Sequence, residues 1–271
     1  MTAQTAQPGP RVHAIAADKQ PGHWLLASLG KRVLRPGGLE LTHRMLDALA
    51  PGSADDVVEF APGLGATARL ALGRKPRSYI AIERDVVAAR RLAATLGAPE
   101  ARCVEGNAEA TGLPSRSASI VYGEAMLTMQ SNPQKLRILR EAHRLLRPGG
   151  RYGIHELCLC PDEIETARRK EIERELSRNI HVGVAPLTVA EWRALLQTAG
   201  FEVTWESQAP MHLLEPMRLL QDEGPLGVLR IAFNLLRKPA ARRRVLEMRR
   251  IFRRFKPNMA AVSFVCTKME S

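Results

Sequence analysis

Apolar and polar residues alternate along residues 55–159 with two different periods. Short apolar runs bounded by glycine or charged residues predict buried strands, and the longer runs between them repeat their apolar positions every three or four residues, as helices do. Strands that alternate with helices in this way predict parallel βαβ units. The predicted strands are residues 55–60, 77–83, 101–106, 117–124 and 151–159, and the predicted helices are residues 66–73, 85–97 and 133–146.

The pattern changes after residue 159. A charged segment at 161–180 predicts a helix, Thr188 and Glu191 form the capping box of another, and strands are predicted at 201–207 and 259–268. The predicted fold is α/β: a doubly wound, mostly parallel, seven-stranded, Rossmann-like sheet with helical cap insertions. The predicted parts are a flexible tail at 1–21, an N-terminal helical cover at 22–50 and a main domain at 51–271, with helical insertions at 161–187 and 211–256.

Polar residues end three of the predicted strands at a constant interval. Glu59, Glu83 and Asn107 are 24 residues apart (83 − 59 and 107 − 83), which corresponds to one strand, one helix and two turns. The carboxyl ends of parallel strands meet at one edge of a sheet, and open α/β sheets bind their ligands at that edge. These three residues therefore mark a candidate ligand site.

A glycine-rich turn follows the first of these strands. In VVEFAPGLGATA, residues 57–68, Gly63 and Gly65 let the backbone pass close to a ligand because they have no Cβ. The turn also fits the dinucleotide-binding pattern, with Glu83 as its acidic residue, and a tight turn without a ligand is a further alternative. A carboxylate at Glu59 argues against a pyrophosphate, which it would repel, and favours an ammonium group.

Glu83 and Asn107 indicate the rest of the ligand. A carboxylate at the end of the second strand can accept hydrogen bonds from two ribose hydroxyls, and Asn107 with Ala108 at the end of the third can contact the edge of an adenine. A cofactor with adenosine at one end, an amino acid at the other and no phosphate fits all of these positions. The residues therefore predict S-adenosylmethionine as the cofactor.

The order of the motifs resembles that of a known family. VVEFAPGLG, IAIERD, GNAEATGLP and LLRPGGRYGIHE are similar, in this order, to the motifs of class I S-adenosylmethionine-dependent methyltransferases. The likeness is greatest to the branch of the ubiquinone and menaquinone C-methyltransferases and related small-molecule enzymes, and it covers residues 40–210. It makes 51–271 the methyltransferase domain. The cofactor-binding residues that this resemblance implies are Glu59, Ala61, Gly63, Gly65, Glu83, Asn107, Ala108 and Glu124.

Within this set, the resemblance assigns the turn residues to the methionine moiety, Glu83 to the ribose, and Asn107 with its neighbour to the adenine. Glu124 would face the sulfonium, and the alternative is a strand-end carboxylate in solvent. The chain departs from the family at Ala61, where a glycine is usual, and at Asn107, where many members have Asp. Arg35, in an Arg-Pro-Gly-Gly loop, could meet the cofactor carboxylate or belong to a surface turn.

The acceptor of the predicted reaction is hard to identify from a sequence, because methyl transfer needs no fixed catalytic motif. A methyl group leaves a sulfonium by in-line displacement, so the enzyme aligns the nucleophile, excludes water and, for some acceptors, removes a proton. His155 and His181 are candidate general bases, and the alternative for His155 is a structural histidine bonded to a carbonyl. Cys158 and Cys160 share one strand face and leave a thiophilic acceptor or metal as an alternative, although no metal site is predicted.

Composition excludes several classes of protein. The chain has 45% hydrophobic and 25% charged residues, which is ordinary for a globular protein and excludes wholesale disorder. No apolar run is long enough to cross a membrane. Its four cysteines are too few for a disulfide framework, so we expect a cytoplasmic protein.

Positive charge is concentrated in residues 237–256, which hold ten basic residues and one acid and so carry +9 of the net +12. As a helix, this segment would pack an apolar stripe on the protein and expose a cationic face. The alternatives are binding at a membrane surface and contact with RNA.

These observations predict methyl transfer from S-adenosylmethionine to a small hydrophobic or aromatic acceptor in a helix-covered pocket. The apolar residues 226–236 are candidates for its lining. The alternatives are a nucleic-acid methyltransferase that uses the basic segment and an NAD(P)-dependent oxidoreductase. The predicted partner is a small-molecule acceptor, with nucleic acid less favoured. The sequence leaves the oligomeric state open, a homodimer included.

Overall fold

The computed structural model describes residues 20–269, so residues 1–19 of the predicted tail lie outside the described residues. Within this range the strands are β1 (Asp56–Phe60), β2 (Ser78–Glu83), β3 (Ala101–Glu105), β4 (Ala118–Glu124), β5 (Leu146–Leu159), β6 (Leu187–Thr188), β7 (Phe201–Pro210) and β8 (Met259–Lys268). The helices are α1 (Gly22–Ser28), α2 (Gly38–Leu49), α3 (Ala66–Leu72), α4 (Val86–Ala93), α5 (Asn132–Leu145), α6 (Thr166–Ile180), α7 (Val189–Thr198), α8 (Pro216–Arg237) and α9 (Pro239–Arg254). The strands and helices predicted above all have counterparts here, with ends that differ by a few residues.

One sheet runs through the molecule in the order β3-β2-β1-β4-β5-β8-β7. The first five of these strands are parallel, whereas β8 is antiparallel to both β5 and β7. The predicted Rossmann-like, mostly parallel α/β sheet is therefore confirmed. The strand count is eight among the described residues, and not seven, because the two-residue β6 also pairs with β5.

Alternate residues of the central strands enter two apolar layers on opposite faces of the sheet. Val57 and Ile120 pack with α2, α3 and α4, whereas Val58 and Val121 pack with α5 and α7. The two-residue period of a strand produces this alternation, and the strands are apolar on both faces because helices cover both. Each fully buried side chain of this kind stabilises the fold by about 1.5–3 kcal/mol.

The capping sequences position the helices that follow the strands. The Asp85 carboxylate accepts a hydrogen bond from the Ala88 N–H at 2.8 Å and so starts α4 directly after β2. The predicted capping box is formed at the start of α7, where the Thr188 N–H donates to Glu191 Oε2 at 2.9 Å. Helices α4 and α7 therefore begin directly after the strands that precede them.

Other helices gather over this carboxyl edge. α1 contacts α6, α6 contacts α9, and their apolar side chains pack together with the loop before α8. α8 itself is broken at Gly224, whose φ of 69° and ψ of 171° are not helical. Among residues 20–269, no helix has both the length and the apolar character required to span a bilayer.

Candidate active site

A cavity of about 760 Å³ opens where β1, β2, β3 and β4 end. Its volume falls within the range of roughly 300–1,000 Å³ that is common for ligand sites. Polar residues at the strand ends form its floor, and α1, α6, α9 and the loop before α8 form its roof. The predicted cofactor residues that line the cavity are Glu59, Ala61, Gly63, Glu83, Asn107, Ala108 and Glu124.

The turn after β1 brings backbone to the cavity. Gly63 has a φ of 54°, and no atom lies within 4 Å of the place where a Cβ would stand, so the space beside it is open. Gly65 does not line the cavity. Its φ of 70° favours glycine, and a Cβ there would meet the end of the Leu92 side chain. Ala61 has a φ of 51°. It therefore adopts the left-handed conformation that favours glycine, at a cost of roughly 1–2 kcal/mol.

Two backbone groups hold the carboxylate of Glu83, which is 7% exposed. The Gly63 N–H donates to Oε2 at 3.1 Å, and the Asp85 N–H donates to Oε1 at 2.9 Å. Each carboxylate oxygen has a second lone pair for a further donor. This geometry allows Glu83 to receive two hydroxyl groups, as the vicinal hydroxyls of a ribose require.

Asn107 and Ala108 line the cavity beyond the end of β3. The Asn107 Oδ1 atom accepts a hydrogen bond from the Glu109 N–H at 3.0 Å, which fixes the side chain over its own turn. The Nδ2 group makes no hydrogen bond with any residue between 20 and 269, and Ala108 adds a small apolar surface. An amide donor beside an apolar surface suits the edge and the face of an adenine ring.

Glu59 lies at the centre of the floor and is almost fully buried. Burial raises the pKa of its carboxyl to about 7, although hydrogen bonds from the hydroxyls of Tyr79 and Tyr122 act in the opposite direction. Both phenols donate to the same oxygen, Oε2. Oε1 has no partner among the described residues, so it is available to a cationic group in the cavity.

Arg35 and Glu124 form a buried ion pair at the floor of the cavity, with Nη1 of Arg35 at 2.8 Å from Oε2 of Glu124. The Glu124 carboxylate also accepts hydrogen bonds from the hydroxyls of Thr42 and Thr67. Burial would raise the pKa of Glu124, but the charge of Arg35 and the bond to His155 outweigh burial and lower it to about 2. Glu124 is therefore ionised and buried, and the alternative of a carboxylate in solvent is wrong.

The remaining donors of Arg35 fit the carboxylate of an amino acid. Its side chain lines the cavity, and Nε and Nη2 are buried without a hydrogen-bond partner among residues 20–269. These two atoms form the edge of a guanidinium that binds carboxylates through two parallel hydrogen bonds. With the free oxygen of Glu59, the floor therefore offers a cationic and an anionic group to the two charges of a methionine moiety. The residues present fit S-adenosylmethionine.

His155, a predicted general base, is fully buried and does not line the cavity. Its Nδ1 atom lies 2.8 Å from Oε1 of Glu124, and its Nε2 atom lies 2.5 Å from the carbonyl oxygen of Pro36. Each ring nitrogen faces an acceptor, so neither is free to take a proton from a substrate. The role of His155 as a base stays a prediction, and this geometry favours the alternative of a histidine bonded to a carbonyl.

The residue that lines the cavity at this point of β5 is Glu156. Its carboxylate accepts the N–H groups of Met126 at 2.9 Å and Leu127 at 2.8 Å, and both the N–H and the hydroxyl of Thr128. Strand alternation predicts that only one of His155 and Glu156 enters the pocket, but periodicity does not say which. His181, the other candidate base, is exposed after α6 and is absent from the cavity lining.

The cysteines do not form a metal centre with their neighbours. Among residues 20–269, no three His, Cys, Asp or Glu side chains are placed to hold a metal ion. Cys158 is fully buried in the apolar layer, and burial raises the pKa of its thiol to about 12. It packs as a small apolar residue. Cys160 lies just beyond the end of β5.

The roof of the cavity is apolar. None of the predicted lining residues 226–236 belongs to it, and that prediction is wrong, because the second half of α8 runs along the outside of the molecule. The basic helix α9 instead supplies two side chains of its apolar stripe. The apolar residues of the roof are Trp24, Leu26, Leu176, Ile180, Val182, Val184, Met211, Leu213, Met248 and Phe252.

Comparison with known proteins identifies a methyltransferase domain in part of the chain. Residues 57–150 match the model of a protein family described as "Methyltransferase domain". An uncharacterized protein of Haemophilus influenzae is 30% identical over 226 residues, which are 82% of this chain and 88% of that protein. A 27-O-demethylrifamycin SV methyltransferase of Amycolatopsis mediterranei is 32% identical over 101 residues, which are 37% of this chain and 36% of that enzyme.

A solved structure shares the fold. Phosphoethanolamine N-methyltransferase 2 of Haemonchus contortus, in complex with S-adenosyl-L-methionine, superposes with a TM-score of 0.68 at 14% sequence identity. The superposition covers 96% of this chain and 59% of that chain. At this identity the likeness concerns the fold alone.

Proposed function

We propose that this chain, an S-adenosylmethionine-dependent methyltransferase whose residues 57–150 match a methyltransferase-domain family, transfers a methyl group to a small hydrophobic or aromatic acceptor held under the roof of the cavity. The match of residues 57–150 to a methyltransferase domain supports methyl transfer from S-adenosylmethionine. The nature of the acceptor is our proposal. The order of the motifs supports placing the chain in the small-molecule branch that includes the ubiquinone and menaquinone C-methyltransferases.

The division of the cavity into two chemically different halves carries this proposal. Every charged group that fits the cofactor belongs to the floor: Arg35, Glu59 and Glu83. The roof consists mainly of aliphatic and aromatic side chains, which gain from contact with an apolar molecule and offer little to a charged one. Nucleic acid, with a phosphate on every nucleotide, does not suit such a roof.

When bound, the cofactor supplies a methyl group on a sulfonium, which is an activated leaving group. Arg35 would hold the carboxylate of its methionine moiety, and the ionised form of Glu59 would face the ammonium group. Glu83 would hold the ribose through both of its oxygens. With these groups fixed, the methyl carbon would keep one position in the floor. The nucleophilic atom of the acceptor then needs only to be aligned at about 3–3.5 Å from this carbon. The apolar roof excludes water from the reacting atoms.

The acceptor class can be tested by following the label of methyl-labelled S-adenosylmethionine. We expect the label to enter the organic phase when the purified protein is given a pool of apolar phenols and quinols or an organic cell extract. The Arg35→Met variant is the control, because its cofactor site is damaged and its roof is intact. Label that appears only in acid-precipitable RNA would contradict the proposed acceptor and support the nucleic-acid alternative.

Removing the Glu83 carboxylate will weaken cofactor binding. We expect Glu83→Ala to raise the dissociation constant for S-adenosylhomocysteine by about 10- to 100-fold, or about 1.5–3 kcal/mol, because two charge-assisted hydrogen bonds to the ribose are lost. Titration calorimetry measures the change. Glu105→Ala is a matched control, since Glu105 pairs with Glu83 in the β2–β3 register but is exposed and does not line the cavity. Equal affinities for wild type and Glu83→Ala would remove Glu83 from the site.

A further inference from the structure

An apolar stripe lies on the outer face of α8 beyond the break at Gly224. Seven of the ten large apolar side chains that are exposed within residues 20–269 lie between residues 217 and 246. Four of the seven recur at spacings of three and four residues on one side of the second half of α8, and their exposed fractions are 81, 65, 56 and 69%. These four are Leu226, Leu229, Phe233 and Leu236.

Contacts on the opposite face fix the orientation of this helix. The Asn234 Nδ2 group donates to the carbonyl oxygen of Leu29 at 3.0 Å, and Arg230 Nη2 donates to the carbonyl oxygen of Gly30 at 2.7 Å. Ile231 is buried on the same side. The stripe therefore faces outward because the rest of the helix is held, and not because the helix is detached from the protein.

The segment that contains the stripe carries basic residues and no acidic ones. Between residues 224 and 246 there is no Asp or Glu. The guanidinium carbon of Arg237 lies 5.2 Å from the ring centre of Phe233, so one cation stands at the stripe itself. The six basic residues of this segment are Arg230, Arg237, Lys238, Arg242, Arg243 and Arg244.

The solvated face of α9 continues the same combination. Leu246 is 56% exposed, and Arg242, Arg243 and Arg250 lie three or four residues away along the helix, where side chains are neighbours. None of these three arginines forms an ion pair with another residue of the range 20–269. The second half of α8 and the outer face of α9, residues 225–250, are called the α8–α9 surface below.

We propose that the α8–α9 surface docks the protein on a bilayer that contains anionic phospholipids. A lipid surface has acyl chains that accept the leucine and phenylalanine side chains, and head-group phosphates that pair with the arginines. An amphipathic helix of this kind lies in the plane of the interface, with its apolar face about 5–10 Å deep in the head-group region. The proposal does not depend on the acceptor, because no residue of the stripe lines the cavity.

Two other occupants fit the α8–α9 surface less well. A second copy of the chain would bring two strongly cationic segments together, and the repulsion between them would oppose the apolar contact. A nucleic acid would pair with the arginines, but it has no apolar surface of the size needed to cover four large side chains along two helical turns or more. Both are outcomes that the experiment below distinguishes.

The test is co-sedimentation of the full-length protein with vesicles of phosphatidylcholine alone or of an equimolar mixture with phosphatidylglycerol. We expect binding to the mixed vesicles, weaker binding at high salt, and little binding to phosphatidylcholine. Leu229→Ser with Phe233→Ser, and separately Arg242→Gln with Arg243→Gln and Arg250→Gln, should each lower the bound-to-free ratio about tenfold or more. All of these positions are exposed, so the fold should tolerate the changes.

Helix α4 offers matched controls of the same chemistry. Val86→Ser with Val87→Ser removes two exposed apolar side chains, and Arg90→Gln with Arg91→Gln removes two exposed cations. Neither pair should change vesicle binding. All variants should bind S-adenosylhomocysteine as wild type does, which shows that they are folded and separates a failure at this surface from a failure of the cofactor site.

Four results would overturn the proposal. The first is wild-type protein that stays in the supernatant with both kinds of vesicle. The second is a Leu229→Ser and Phe233→Ser variant that binds mixed vesicles as wild type does, since charge alone would then explain the binding. The third is vesicle binding that tRNA abolishes and for which lipid does not compete with the tRNA. The fourth is a dimer in light scattering that this variant dissociates, with no vesicle binding, which would assign the stripe to a second copy of the chain.

Discussion

Arg35→Met will lower the affinity for S-adenosylhomocysteine by about a hundredfold or more, because a bidentate pair with a carboxylate is lost in a buried site. In the wild-type protein, Nε and Nη2 of Arg35 are buried at the cavity and have no partner among the described residues. Without the guanidinium, the ligand carboxylate would face the ionised Glu124 with no cation between them. Titration calorimetry measures this loss directly.

Two comparisons make the result specific to the carboxylate. Methylthioadenosine lacks the amino acid moiety, so we expect wild type and Arg35→Met to bind it alike. Arg84→Met is the control for the protein side, since Arg84 also lines the cavity but is exposed and forms no ion pair with residues 20–269. If Arg35→Met loses affinity for both ligands equally, the arginine supports the fold of the site and does not read the carboxylate.

Glu124→Gln will destabilise the protein by about 3–5 kcal/mol, because it leaves a buried arginine without its counter-charge. Glu124 accepts hydrogen bonds from Arg35, Thr42 and Thr67 and also faces His155, and its side chain is only 5% exposed. Urea denaturation measures the loss in the free energy of unfolding. Asp47→Asn is the matched control: its partner is also an arginine, but its side chain is 69% exposed, so we expect a loss below about 1 kcal/mol.

The double variant Arg35→Met with Glu124→Gln tests whether the two residues act as a pair. We expect it to be more stable than the sum of the single changes predicts, since removing both charges leaves neither one buried alone. Additive losses would show that each residue is held by its other neighbours and would contradict the buried pair.

The dependence of stability on acid pH gives a second test of the Glu124 carboxylate. The pKa of Glu124 is lowered to about 2 in the folded protein. Its contribution to stability is therefore complete above the pKa of an unfolded glutamate, about 4.3, and is lost as the pH falls from there through the folded value. The loss of stability over this range should be smaller in Glu124→Gln than in the wild type. An unchanged acid profile would mean that other carboxyl groups dominate it.

The floor of the cavity was largely predictable because it depends on local patterns. Parallel strands have a fixed side-chain period and share one carboxyl edge, so the residue that ends each strand can be placed without coordinates. Glu59, Glu83 and Asn107 were found by that argument, and all three line the cavity. The close approach of the backbone at Gly63 was equally predictable, because a glycine directly after a strand has no Cβ to keep a ligand away.

The contacts that complete the floor join distant parts of the chain, and no local pattern predicts them. Arg35 meets Glu124 across 89 residues, from a loop whose path depends on how α2 packs against the sheet. The sequence shows that residues 226–236 are rich in apolar side chains, but it does not tell which way these side chains face, because the break at Gly224 changes the direction of α8. The same ambiguity applies to His155 and Glu156, which point to opposite faces of one strand.

The floor and the roof of the cavity come from different parts of the chain, and this has a consequence for how the protein can change. The floor comes mainly from residues 57–150, which match the methyltransferase domain, together with Arg35, whereas the roof comes from helices and loops outside that region. On the proposed function, in which the roof holds the acceptor, mutations in the roof can change the range of acceptors without disturbing cofactor binding. Among descendants of one ancestor, resemblance in the roof should track shared substrates better than resemblance in the sheet.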